Sequence, residues 1–185
     1  EDGSWKRYDA DWRESTYKNY FWMVPYDLQG LIDSIGGKEA AEKRLDEMFR
    51  RLDASYGDEW FASGNEPSFQ IPWIYNWAGA PYKAQQVIRR ILNEQYSSRV
   101  NGLPGNDDLG SMGAWYVFAS IGLFPEIPGV GGFSVNSPVF RKIVLHLPEG
   151  DVIIKGGDEK KEYIHSLSLD GKKMEGTWID WSDLY

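Results

Sequence analysis

Acidic residues in three stretches have the neighbours that carboxylate chemistry needs. Glu66 sits in a Gly64-Asn65-Glu66-Pro67 turn, ahead of an aromatic segment of Ile71, Pro72, Trp73, Ile74, Tyr75 and Trp77. Asp107 and Asp108 close a second polar turn, Gly102-Leu103-Pro104-Gly105-Asn106-Asp107-Asp108, and precede a strongly apolar run. Glu14 stands before Tyr17, Tyr20, Phe21 and Trp22, with Asp9 and Asp11 upstream. An acid desolvated by such a run favours its neutral, proton-donating form. Two carboxyl groups across a glycosidic bond divide the work: one protonates the leaving oxygen, the other activates water. Carboxylate turns at helix starts, flanked by aromatics, suggest the rim of a carbohydrate pocket. Each acid also has a plainer reading. Glu66 and Glu14 suit exposed surface acids, and Asp107 or Asp108 suits a helix N-cap.

Other chemistries find no support. The two histidines, His146 and His165, alternate with apolar neighbours in a strand-like region, which fits a strand face better than catalysis. No His-x-x-x-His, Walker loop or Gly-x-Ser-x-Gly elbow occurs. Gly129-Val130-Gly131-Gly132 joins a helix to a strand, the wrong order for a dinucleotide fingerprint. Cysteine is absent, which excludes thiol chemistry and disulfides. The net charge of -8, with scattered Lys and Arg, argues against nucleic acid as a partner. No window is long and apolar enough to span a membrane. The opening EDGSWKRYDADWRE resembles neither a signal nor a transit peptide. The 9 Trp and 11 Tyr fit a core filled with large rings, and less strongly a platform for sugar rings.

Helices and strands must position these acids. Helical periodicity predicts segments over 26–34, 38–54, 81–96 and 109–122. Pro81 suits the first turn of the third, and the fourth is apolar nearly all round, as expected of an interior helix. After Pro125 the pattern alternates, and strands are expected over 133–136, 142–147, 152–155, 163–169 and 177–180. Glu149-Gly150 and Asp170-Gly171 are the expected hairpin turns. The fold class expected is α+β. Residues 1–125 are read as helical and 126–185 as a small antiparallel β region.

GNEPSFQIPWIYNWAGAPYKAQ, GLPGNDDLGSMGAWYVFASIGLFPEIPG, GGFSVNSPVFRKIVLHL and ESTYKNYFWMVPYDLQGLIDSIGG occur in the order, and with the wording, of the glycoside hydrolase family 92 α-mannosidases. The resemblance covers about residues 10–170. It implies a calcium-dependent, exo-acting, inverting hydrolase of α-mannosides, secreted, periplasmic or on a bacterial cell surface. It further implies that the chain is the last part of a longer protein. The helices would then close an (α/α) toroid, whose remainder and an N-terminal β-sandwich lie elsewhere.

Carried across residue by residue, the resemblance makes Glu14 the general acid and Asp108 the general base, about 6.5–9.5 Å apart as inversion requires. Asn106 and Asp107 flank the base in its turn. Asn65 and Glu66 contact the terminal mannose, with Glu66 a calcium ligand, and Trp22 adds a substrate contact. Oxygen ligands of this kind suit calcium. Three stretches depart from the family pattern. Ser15-Thr16-Tyr17-Lys18-Asn19 replaces Gly-Asn-x-Trp-Gln, Tyr26 replaces the His of Val-Pro-His-Asp, and Phe69-Gln70 replaces a histidine pair. They leave calcium geometry and linkage preference open, together with the alternative of a mannan- or glycan-binding protein without turnover. The isolated chain is expected to be inert, because a partial toroid exposes apolar helix faces.

Overall fold

The structure, a computed structural model, describes residues 12–55 and 57–184; Asp9 and Asp11 lie outside them. Six helices come first: α1 (Tyr17–Tyr20), α2 (Leu28–Ser34), α3 (Lys38–Met48), α4 (Ile74–Trp77), α5 (Pro81–Glu94) and α6 (Ser111–Ile121). Seven strands follow: β1 (Leu123–Phe124), β2 (Gly132–Val135), β3 (Lys142–Leu147), β4 (Gly150–Lys155), β5 (Ser168–Leu169), β6 (Lys172–Lys173) and β7 (Trp178–Asp180). The α+β class is as expected.

Local chemistry accounts for the helix ends. The Asp27 side chain accepts from Gly30 N at 3.0 Å and caps α2. Pro81 opens α5, which buries Ala84, Val87, Ile88, Ile91 and Leu92 as one stripe. The expected helix over 38–54 stops at Met48, where Phe61 N takes the Met48 carbonyl and Asp53 bridges Ala62. Phe49 and Leu52 are still core residues, so apolar spacing outlasts helical backbone there.

Large rings form the centre of the helical core. Trp73 stacks on Phe124 at 4.0 Å and meets Trp115 edge-on, and Trp115 stacks in turn on Tyr96. The Trp73 indole donates to Asn136 Oδ1, and Asn136 Nδ2 donates to the Ala119 carbonyl at 2.9 Å. This buried pair stitches the helices to the chain beyond β2. Buried Arg89 adds a second stitch, its Nη2 donating to the carbonyls of Ser137, Pro138 and Lys161 and to Ser137 Oγ. α6 is less enclosed than its composition predicts. Met112, Trp115 and Ala119 are buried, but Tyr116 and Val117 are 41% and 56% exposed.

The strands form three small antiparallel sheets: β1-β2-β7, β3-β4 and β5-β6. Asp170 and Gly171, both at positive φ, make the β5–β6 turn expected of Asp-Gly. The expected strand over 163–169 shrinks to β5 because Ile164 N donates to the Gln85 side chain instead of a neighbouring strand. His146 lies on β3 beside Asp151, whereas His165 lies outside the strands.

Candidate active site

Three chain segments far apart in sequence are joined at one place. In the first, Glu14 adopts a left-handed backbone, with φ 57. Its carbonyl accepts from Asn65 Nδ2 at 2.6 Å. Tyr20 reaches back to donate to the Arg13 carbonyl at 2.7 Å, and Trp12 stacks on the Tyr20 ring. α1 is fastened from below by two fully buried polar side chains. Asn19 Nδ2 donates to the Trp60 carbonyl at 3.1 Å, and Ser68 Oγ donates to Asn19 Oδ1 at 3.1 Å. A Lys18–Glu59 ion pair at 2.7 Å adds to this.

The second segment is the Gly64–Ser68 turn. Asn65 is extended and buried, and Glu66, exposed, opens a short 3-10 turn with Pro67. The third, Pro104–Gly110, crosses the second backbone on backbone. A Cβ added at Gly105 would fall 2.2 Å from the Gly64 carbonyl oxygen, and one at Gly64 would fall 2.6 Å from the Pro104 oxygen. Only glycine allows so close an approach. Beyond the crossing, Asp108 and Leu109 have φ of 48 and 59, and Gly110 continues in the left-handed region as the N-cap of α6. Each such L-residue costs about 1–2 kcal/mol. Three of the four non-glycine residues at positive φ among those described lie in these turns. Strain of this kind collects at functional sites.

The two adjacent aspartates divide their tasks. Asp107 Oδ1 accepts from Gly113 N at 3.2 Å, which does the work of a cap although Gly110 holds the N-cap position. Burial pushes the nearby Tyr96 hydroxyl well above its usual range, and the Asp107 charge adds to it. Asp108 instead has only its carbonyl engaged, by Ser111 N at 3.2 Å and Ser111 Oγ at 2.6 Å. Among the described residues, nothing hydrogen-bonds the carboxylates of Glu14, Glu66 or Asp108. All three are exposed, as is Asn106. The aromatic run therefore does not bury Glu14 in this chain; Phe21 and Trp22 pack in or against the core, and Tyr20 stacks on Trp12. Carboxylates so presented can give or take protons with a ligand lying across the turns.

Trp22, which the resemblance offers as a substrate contact, is 1% exposed and packs within the helical core. A metal centre is matched in kind but not in number. Glu66 offers a hard carboxylate oxygen, yet no group of three or more His, Asp or Glu among the described residues could hold an ion. Sequence reasoning missed Asn19 and Ser68, whose roles need the tertiary contact to be seen, and Ser111, whose bond is local, three residues from Asp108. The paired glycines 64 and 105 were visible as turn residues but not as partners.

Comparison with known proteins identifies the family. All of the chain, residues 1–185, matches the glycosyl hydrolase family 92 catalytic domain. An uncharacterized secreted glycosidase of Arthroderma benhamiae is 31% identical over 176 residues, covering 90% of this chain and 22% of the relative. A family GH92 α-mannosidase from Bacteroides thetaiotaomicron superposes with a TM-score of 0.87 at 32% identity, over 98% of this chain and 25% of that one. A family GH92 inverting mannosidase of the same organism gives 0.83 at 29% identity, over 98% of this chain and 28% of the other. The chain thus spans about a quarter of the length of these relatives. It belongs to glycosyl hydrolase family 92 and forms part of that family's catalytic domain.

Proposed function

We propose that the protein hydrolyses terminal α-mannosidic bonds in mannose-containing glycans with inversion. Glu14 is the general acid and Asp108 the general base. The observation that carries this reading is the joining of their turns through Asn65 and through the Gly64–Gly105 crossing. A glycoside lying over the three turns meets Glu14 at its leaving oxygen. Asp108 removes a proton from a water on the opposite face of the ring, and the oxocarbenium-like transition state collapses to the inverted sugar. Asn106, Asp107 and Glu66 face the terminal mannose in this reading, while Asn65 acts from beneath.

Calcium fits as a partial expectation. Glu66 would supply one carboxylate, and the remaining oxygens would have to come from sugar hydroxyls and from parts of the protein outside this chain. When bound, such an ion grips neighbouring hydroxyls and favours a distorted ring. The exposed Tyr116 and Val117 on α6 suit burial against further toroid helices, with an N-terminal β-sandwich completing the parent enzyme. Among the described residues no helix is long and apolar enough to cross a membrane, and the Arthroderma benhamiae relative is named as secreted. We accordingly propose a secreted, periplasmic or cell-surface location.

The test is mannose release from α-mannosides by the protein carrying its whole catalytic domain. E14Q and D108N should each lower turnover by about 100-fold or more, and a chelator should lower it reversibly. Glycan binding with no release by the unaltered protein would contradict the hydrolase reading and favour a binding protein.

A further inference from the structure

We propose that Asn65 and Ser111 are a matched pair of positioning residues that hold the acid and the base in their left-handed backbone conformations. The inference rests on the acid–base assignment above and deepens it. Glu14 and Asp108 share an unusual feature, a positive φ in an L-residue at the tip of an exposed turn. They also share a second one. In each, the carbonyl of that same residue is gripped by a side-chain donor from a more firmly held element. Asn65 Nδ2 donates to the Glu14 carbonyl at 2.6 Å, and Ser111 Oγ donates to the Asp108 carbonyl at 2.6 Å.

A carbonyl's direction is set by its own residue's ψ. Fixing it, with φ already confined to the left-handed well, fixes where Cα–Cβ points and so where the carboxyl starts from. Neither carboxylate has a hydrogen-bond partner among the described residues, so aim comes from the backbone. Both donors are well placed to supply it. Asn65 is 3% exposed and its own carbonyl is held by Ser68 N at 3.1 Å, while Ser111 is the first residue of α6. One amide N–H of Asn65, a residue expected to touch the sugar, is engaged by the acid's backbone.

The two clamps predict different kinetic signatures. A poor leaving group needs the acid, and an activated aryl one hardly does, whereas both need water deprotonated. In the protein with its whole catalytic domain, we expect N65A to lose about 100-fold in kcat on an alkyl α-mannoside, and less than about fivefold on a nitrophenyl α-mannoside. S111A should lose a similar factor on both, and Ser111→Thr, which keeps the hydroxyl, should stay within about threefold. If N65A does not fold by thermal melt, Asn65→Asp keeps the shape, lacks the N–H donor and carries the same comparison.

Equal losses on the two substrates for the Asn65 variant would overturn its role, since that is what a sugar contact or a general distortion gives. An unaffected S111A, or an S111T as poor as S111A, would overturn the other half. E14Q and D108N run alongside separate the two levels. If E14Q lacks the leaving-group dependence, the catalytic assignment itself fails. If E14Q has it and N65A does not, only the clamp fails.

Discussion

Gly105→Ala is the sharpest perturbation of the crossing that joins the Asn65–Glu66 turn to the Asp107–Asp108 turn. Gly105 carries no positive φ, so alanine fits its backbone and the penalty is one of contact alone. The new methyl would lie 2.2 Å from the Gly64 oxygen and under 3 Å from Gly64 Cα and C, all backbone atoms that cannot rotate aside. Restoring an ordinary contact requires the turns to part by roughly 1 Å, a displacement that costs about 100-fold when it falls between reacting groups. Crowding of this kind costs about 1–3 kcal/mol in stability, little enough for the protein to stay folded. Gly57→Ala is the matched control, because nothing lies within 4 Å of a Cβ there. The assay is kcat on an α-mannoside for both variants, with a thermal melt of each. A folded G105A that keeps kcat within about threefold of the unaltered protein would refute the claim that this crossing sets the active geometry.

Two further outcomes follow from buried polar groups. Glu126 is 2% exposed, its Oε2 accepts from Ser134 Oγ and from the Trp77 indole, and its Oε1 has no partner. Burial raises its pKa from 4.5 to about 7, against the opposing pull of those two hydrogen bonds. The unfolded chain therefore releases this proton first. Its contribution to stability is complete below pH 4.5 and is lost as pH rises through about 7. The span corresponds to about 3 kcal/mol, which urea denaturation between these limits should show and which E126Q should abolish. Arg89→Ala strands the acceptors of Ser137, Pro138 and Lys161, and should lower stability by about 3 kcal/mol without changing KM for a mannoside.

What could be read from the chain divides along physical lines. Helices whose apolar stripe and end signals agree, such as α5 with Pro81, were legible to within a residue or two. α3 ends early because Phe49 and Leu52 keep the spacing while the backbone turns to pair near Phe61. β1 was missed because two residues carry no periodicity, and its pairing with β2 is decided only when Trp73 packs on Phe124. The acidic turns stood out as Gly-Asn-Glu-Pro and Asn-Asp-Asp, but not their geometry. A left-handed φ at Glu14 has no signature in residue type, and the Gly64–Gly105 contact exists only in three dimensions. Trp22 shows the converse. An aromatic beside a candidate acid invites a sugar-stacking role, and the sequence does not show that its ring packs in the core at 1% exposure.

Inversion requires a water to be driven onto the face of the sugar opposite the departing oxygen. Proton NMR of the first product released from an α-mannoside, recorded before mutarotation, reads this directly. β-mannose appearing first is the predicted result. α-mannose appearing first would mean a covalent intermediate and would contradict the pairing of Glu14 with Asp108 as acid and base.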